Sequence, residues 1–179
     1  MLQITIPAAR GWDERKQQFV YVPETVLQLE HSLVSVARWE SKWCKPFLTK
    51  SSKTYEETLD YIKCMTLNEV KPEIYEFLTE ENVKQISDYM YAPMTATTFS
   101  DDKQPKRNSE IITAELVYYW MISLNIPPEY DTWHINRLFT LIKVCSVKNA
   151  PPKKMSKKDL YARNAALNAA RKKQLNSKG

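Results

Sequence analysis

The side chains best suited to acid–base chemistry in this sequence are its two histidines, His31 and His134. Histidine titrates near neutral pH and can act as a general base, but a hydrolytic site also needs a nucleophile or a metal motif nearby. The sequence contains no Gly-x-Ser-x-Gly turn, no His-Glu-x-x-His helix and no Cys-x-x-Cys pair. We therefore interpret both as ordinary helix histidines, with His31 at the polar edge of one helix and His134 near the start of another.

Residue scarcity excludes two further kinds of site. Gly11 and Gly179 are the 2 glycines of the chain, whereas phosphate-binding loops need several glycines within a few residues. The 3 cysteines, Cys44, Cys64 and Cys145, are too widely spaced for a zinc site, and their odd number favours free thiols over disulfides. The sequence thus predicts no enzymatic activity, no metal and no cofactor.

Two glutamates, Glu40 and Glu115, lie on strongly apolar helical patterns, where a pair of carboxylates would be able to do acid–base chemistry or bind a metal. A buried carboxylate is costly unless it is paired or hydrogen-bonded. Arg137 lies on a third apolar pattern and carries the opposite charge. We favour a buried structural ion pair between Arg137 and either glutamate, because a metal cage needs more acids or histidines at helical spacing.

Charge is distributed unevenly along the chain. Residues 147–179 contain 10 Lys or Arg and 1 acid, giving +9, and residues 1–146 contain 16 bases and 20 acids, giving −4. The sequence therefore predicts a body of residues 1–148 and a basic arm of residues 149–179 that binds polyanions weakly, without specificity and in a salt-dependent way. The candidate binding residues of the arm are Lys153, Lys154, Lys157, Lys158, Arg163, Arg171, Lys172 and Lys173.

The elements that must position these residues are mainly helices. Alternating apolar residues over 2–6 and 19–22 predict two strands of a small N-terminal β-hairpin. Apolar periodicity and capping residues predict a long helix over 24–43, a polar loop over 100–108 and further helices over 54–66, 72–78, 79–91, 109–124, 133–145 and 156–173. The predicted fold class is mainly α, with an N-terminal β-hairpin and a basic, partly helical C-terminal arm.

The 5 tryptophans are the large aromatic groups that would stack on nucleic-acid bases if they were exposed. Trp39, Trp43, Trp120 and Trp133 lie on apolar helical patterns and are predicted to pack in the core, whereas Trp12, in the hairpin turn, is predicted to be exposed. The longest charge-free stretch of the apolar centre, residues 116–128, has 13 residues. This is too short to cross a bilayer, so we expect no membrane partner.

Several segments together give the sequence a resemblance to a known family. They are LQLEHSL at 27–33, WESKW at 39–43, IITAE at 111–115, WHINRL at 133–138, PPKKMS at 151–156 and RNAALN at 163–168. Over most of its length the chain resembles the tail assembly chaperones of long-tailed bacteriophages. The likeness is one of overall sequence, without a catalytic signature.

The resemblance implies a non-enzymatic role in the host bacterial cytoplasm. Such chaperones bind the long helical tape-measure protein while tail-tube protein subunits polymerise around it, and a longer frameshifted form is often made in the family. We expect homo-oligomerisation through apolar helix faces. Three alternatives stay open: a nucleic-acid-associated phage protein that uses the basic arm, a structural adaptor between head and tail, and a host-directed protein. No residue separates the chaperone from the adaptor, because both need only helix-mediated contact.

Overall fold

The computed structural model describes residues 1–13, 17–49, 51–99, 110–150 and 156–176. The chain divides into two compact units, Met1–Ser146 and Val147–Gly179. The described residues form mainly helices, as predicted, preceded by short strands. The polar loop predicted over 100–108 lies outside the described residues.

The elements follow one another along the chain in a simple order. The strands are β1 (Leu2–Ile6), β2 (Ala9–Asp13), β3 (Gln18–Val22) and β4 (Thr25–Leu29). The α-helices are α1 (Leu33–Trp43), α2 (Tyr55–Met65), α3 (Glu80–Tyr91), α4 (Ala114–Ser123), α5 (Ile135–Asn149) and α6 (Lys157–Leu175). Two 3₁₀ helices, Pro72–Phe77 and Pro128–Thr132, precede α3 and α5. No described helix combines the length and apolar character that a bilayer-spanning segment requires.

The four strands form one long antiparallel hairpin with an interruption. β1 pairs with β4, β2 pairs with β3, and the register is the same in both pairs. The interruption coincides with Pro7 and Pro23, because proline has no N–H to donate to a strand ladder. The predicted hairpin and both of its predicted strands therefore exist, but the two strands do not pair with each other: β1 pairs with β4, and β3 pairs with β2.

The partner of β1 was predicted to be part of a helix, and that prediction is also wrong. Leu27 and Leu29 are fully buried, whereas Val26 before them is exposed and Gln28 between them is half-buried, which is the alternation of a strand. Leu29 and Leu33 are also four residues apart, so the same apolar residues fit a helical period. Pairing with β1 selects the strand, and α1 begins only at Leu33.

Local capping signals place the next helices correctly. The Thr54 hydroxyl accepts a hydrogen bond from the backbone N–H of Glu57, and the Glu57 side chain accepts one from the N–H of Thr54. Thr79 and Asn82 form the equivalent box at the start of α3. Such boxes satisfy backbone donors that a helix start leaves unpaired. The predicted helices over 54–66 and 79–91 are confirmed.

The core of the first unit lies around α1, which packs on α2 and α4, while α3 packs on β1. Trp39 of α1 is buried, and its indole N–H donates to the backbone carbonyl of Glu57 at 2.9 Å. Burying one large apolar side chain stabilises a fold by about 1.5–3 kcal/mol. The fully buried side chains of this core include Ile6, Leu27, Leu29, Leu33, Val36, Trp39, Met65, Val117 and Leu138.

Candidate functional site

The fold brings the two histidines together in the core. An isolated β-bridge joins Ser32 to His134, and the backbone N–H of Ile135 donates to the carbonyl of His31 at 2.7 Å. The two imidazole rings lie edge to face with their centroids 5.2 Å apart, and both are buried. The prediction that His31 lies at the polar edge of a helix is wrong, because residue 31 precedes α1 and faces the core. His134 lies at the start of α5, as predicted.

Each ring has its own hydrogen bonds. Nδ1 of His31 shares a hydrogen bond of 2.5 Å with the hydroxyl of Tyr61. Nε2 of His134 lies 3.0 Å from the backbone carbonyl of Tyr89, and its Nδ1 lies 3.3 Å from the N–H of Asn136. A carbonyl can only accept, so His134 carries its proton on Nε2 and accepts at Nδ1. The second ring is thereby fixed in one neutral tautomer.

Burial keeps both histidines uncharged at neutral pH. Desolvation, helped by the neighbouring His134, lowers the pKa of His31 to about 3. Desolvation also lowers the pKa of His134, although its hydrogen bond to Tyr89 and the charge of Glu30 act in the opposite direction. Glu30 itself accepts a hydrogen bond from the Tyr89 hydroxyl at 2.7 Å. These hydrogen bonds hold the two rings in the core.

A cavity of about 470 Å³ opens beside this cluster. Its polar groups include His31, Tyr61, Lys53 and Asn136, and the rest of its wall is largely apolar. The apolar lining comes from the segment after α1 and from α2, α3 and α5 and includes Phe47, Leu48, Ile62, Ile86, Met90 and Phe139. Sequence reasoning missed this site, and no local pattern marks Lys53, because its role depends on what packs beside it.

Glu40 is buried, as its apolar surroundings predicted, but its partners are not those predicted. Its Oε1 accepts a hydrogen bond from the N–H of Phe47 at 2.6 Å, and its Oε2 accepts one from the N–H of Ala114 at 2.7 Å. Two backbone donors therefore satisfy the carboxylate. Its role is structural, since it holds the end of α1 to the start of α4.

The predicted buried ion pair is wrong. Glu115 and Arg137 are both exposed, and no ion pair joins Arg137 to Glu40 or Glu115 within the described residues. The Arg137 guanidinium lies over the ring of Trp133, 3.9 Å from its centroid. The charged groups of both residues are exposed to water, which avoids the desolvation penalty that a buried pair would have to overcome.

One face of the hairpin tip exposes an aromatic cluster. Cross-strand pairing places Arg10 opposite Tyr21 and Trp12 opposite Phe19. The three aromatic side chains are 54%, 61% and 68% exposed for Trp12, Phe19 and Tyr21. Trp12 packs edge to face on Phe19 at 5.0 Å, and the Arg10 guanidinium lies 4.2 Å from the centre of the Phe19 ring. We call Arg10, Trp12, Phe19 and Tyr21 the hairpin aromatic face.

The opposite face of the same hairpin is held against the body. A Cβ added to Gly11 would lie 2.8 Å from Cζ of Phe77, so this strand packs closely on the Phe77 ring, which would have to shift to admit a side chain. Val22 on the neighbouring strand is buried. The packed side fixes the orientation of the hairpin, and the aromatic residues on its other side are left to solvent. The exposure predicted for Trp12 is confirmed.

Helix α4 presents a second exposed apolar surface. Ala114, Val117 and Met121 are buried, whereas Tyr119 is 63% and Ile122 is 75% exposed. Helix α4 is therefore buried on one side and exposed on the other. A helix that is apolar all round is typically covered on all sides, so α4 lacks a covering partner on one face within the described residues.

The candidate polyanion-binding residues lie in the second unit. Every described residue of α6 is exposed, including Lys157, Lys158, Arg163, Arg171, Lys172 and Lys173. The Ser156 hydroxyl caps the helix by accepting from the N–H of Asp159 at 3.1 Å. Lys153 and Lys154 lie outside the described residues.

Across the described residues, no group of three or more His, Cys, Asp or Glu side chains is arranged to hold a metal ion. No protein-family model, curated protein or solved structure matches the chain.

Proposed function

We propose that this chain is a non-enzymatic tail assembly chaperone of a long-tailed bacteriophage that binds the tape-measure protein during tail morphogenesis. The observation that carries the proposal is the hairpin aromatic face. Exposed Trp, Tyr and Arg are the residue types that contribute most to protein–protein binding energy. Three exposed aromatic rings on one face of two paired strands, two of them in contact, have no role in the core of this chain, so they support a binding function.

The surface suits a long, repetitive helical client. The rings of Trp12 and Phe19 and the guanidinium of Arg10 form an exposed patch, on which apolar side chains of different helices can pack. A tape-measure protein offers many similar helical surfaces, so many copies of a weak binder can act together. Tyr119 and Ile122 on α4 supply a further apolar contact, either for the client or the tail-tube protein or for self-association.

Co-expression tests the proposal directly. The tape-measure protein encoded by the same genome should be soluble in the presence of the chain and should elute with several copies of it in size-exclusion chromatography with mass measurement. The double variant Trp12→Ser, Phe19→Ser should lose this effect. Tyr55→Ser is the matched control, because Tyr55 is an equally exposed aromatic residue, at the start of α2. An insoluble client, or a complex of one chain with one client, would contradict the proposal.

A nucleic-acid-associated function is the second candidate. It is favoured by the same aromatic face, because bases stack on Trp, Tyr and Phe, and by the exposed basic residues of α6. Fluorescence anisotropy with single-stranded and duplex DNA separates the two functions. Tight, sequence-selective binding at physiological salt that Trp12→Ser abolishes would favour nucleic acid. Presence of the protein in purified phage particles would instead favour a head–tail adaptor.

A further inference from the structure

We propose that the cavity beside His31 binds a small apolar molecule that carries a carboxylate, with Lys53 as the counter-ion of that carboxylate. The inference concerns a site distinct from the hairpin aromatic face and does not depend on the proposed function. It is based on the size and lining of the cavity, on an ammonium group that has no acidic partner and on a ring nitrogen that is left without a hydrogen bond.

The cavity has the dimensions and chemistry of a small-molecule site. Its volume of about 470 Å³ lies within the range of roughly 300–1,000 Å³ that is typical of such sites. Aromatic and aliphatic side chains form most of the wall, and a few polar groups interrupt it. A helix of a partner protein would need a long open groove, whereas this cavity is bounded by α2, α3, α5 and the segment after α1.

Lys53 is a half-buried cation without an ion pair. Its Nζ lies 4.4 Å from the centre of the Phe47 ring and 6.0 Å from that of Trp39, and no carboxylate is within ion-pair distance of it among the described residues. The nearby Glu57 is already bound by Lys45 at 2.5 Å and by the N–H of Thr54 at 2.8 Å.

This environment penalises the charge of Lys53. Desolvation lowers the pKa of Lys53, and the charge of Glu57 acts in the opposite direction. Charged groups that lose contact with water are normally paired with an opposite charge. An anion in the cavity would supply that counter-charge to the Lys53 ammonium group.

His31 supplies a second polar contact to the cavity. Its Nδ1 is hydrogen-bonded to Tyr61, whereas no hydrogen bond to its Nε2 occurs within the described part of the chain. In the same residues no fully buried side-chain nitrogen lacks a partner, so Nε2 retains accessible surface. With the Tyr61 hydroxyl donating to Nδ1, the neutral ring presents an N–H at Nε2 that can donate to a carboxylate oxygen.

Calorimetric titration of the full chain with octanoate and with octan-1-ol tests the charge requirement. Octanoate should bind at one saturable site, and octan-1-ol should bind more weakly. Lys53→Met should weaken octanoate binding by about 10- to 100-fold, the range typical for loss of a charge-assisted contact, and should leave octan-1-ol binding unchanged. Lys84→Met is the matched control, because Lys84 is an exposed lysine on α3 that does not line the cavity.

A second pair of variants tests the location. Ser87→Phe should abolish binding of both probes, because Ser87 is half-buried and lines the cavity. Val83→Trp, at a partly exposed lining position, serves the same purpose if the first variant does not fold. Absence of saturable octanoate binding would overturn the proposal. Equal affinity for the alcohol, equal effects of Lys53→Met and Lys84→Met, or undiminished octanoate binding in a folded cavity-filling variant would also overturn it.

Discussion

The Oε2 of Glu40 accepts a hydrogen bond at 2.7 Å from the backbone N–H of Ala114, the first residue of α4. The first N–H groups of a helix have no partner within the helix and carry partial positive charge, so a carboxylate is the favoured group at this position. Its other oxygen closes the turn that ends at Phe47. A single buried side chain thus joins two segments of the chain that are distant in sequence.

Replacing Glu40 by Leu should destabilise the protein by roughly 2–5 kcal/mol, because it leaves two buried backbone N–H groups without an acceptor. Glu40→Gln keeps one acceptor oxygen and should cost less than the Leu substitution. Urea denaturation followed by circular dichroism measures both changes. Glu115→Gln is the control and should change stability by about 0.5 kcal/mol or less, since Glu115 is exposed. Equal effects at the two positions would contradict the role assigned to Glu40.

Replacing Arg137 by Met should have a small effect on the free energy of unfolding. Its guanidinium is exposed and interacts with the ring of Trp133, and such contacts contribute about 0.5–1 kcal/mol at exposed sites. Urea denaturation of Arg137→Met and of Arg137→Lys checks the value. A loss of several kcal/mol would show that Arg137 is the partner of a buried carboxylate after all.

Stability should fall as the pH drops below about 6.5. The folded-state pKa of His31 is lowered to about 3, so the unfolded chain binds more protons than the folded chain between these values. The titration of His31 alone should lower the free energy of unfolding by about 2 kcal/mol at pH 5. The pKa of His134 is also lowered, so its titration should lower the free energy of unfolding further. Urea denaturation between pH 7 and pH 4.5 measures the effect.

Two observations separate this histidine effect from that of the carboxylates. Hydrogen bonds from Lys45 and Thr54 lower the pKa of Glu57, so its contribution is lost only below its ordinary value of 4.5. His31→Asn removes one titrating ring and should reduce the slope between pH 6.5 and 4.5. If nuclear magnetic resonance shows both rings titrating near pH 6.5 in the folded protein, the prediction is wrong.

The basic arm should bind duplex DNA in a salt-dependent way. Each phosphate contact contributes roughly 0.9 to the slope of log affinity against log salt, so neutralising basic residues should flatten that slope. The test variant replaces Lys157, Lys158, Lys172 and Lys173 with Gln, and binding is measured by fluorescence anisotropy at several salt concentrations. The control replaces Lys71 and Lys84, two exposed lysines of the first unit, and should leave the slope unchanged. An unchanged slope in the test variant would exclude α6 as the polyanion contact.

The sequence alone determined the features that depend on residues close to one another along the chain. Thr54 and Thr79 mark helix starts because a capping box needs only residues three positions apart. The apolar pattern around Glu40 predicted its burial. In each case the governing interaction is local, or follows from the periodicity of one element.

Tertiary structure decided the features in which distant segments compete for the same partner. Residues 25–29 fit both a helix and a strand, and pairing with β1 selected the strand. The Glu40 carboxylate needed hydrogen-bond donors, and the backbone N–H groups of Phe47 and Ala114 supply them. The contact between His31 and His134 depends on a bridge between separate segments, which no local pattern encodes. Local periodicity fixes what each residue requires, whereas packing decides which distant group meets that requirement.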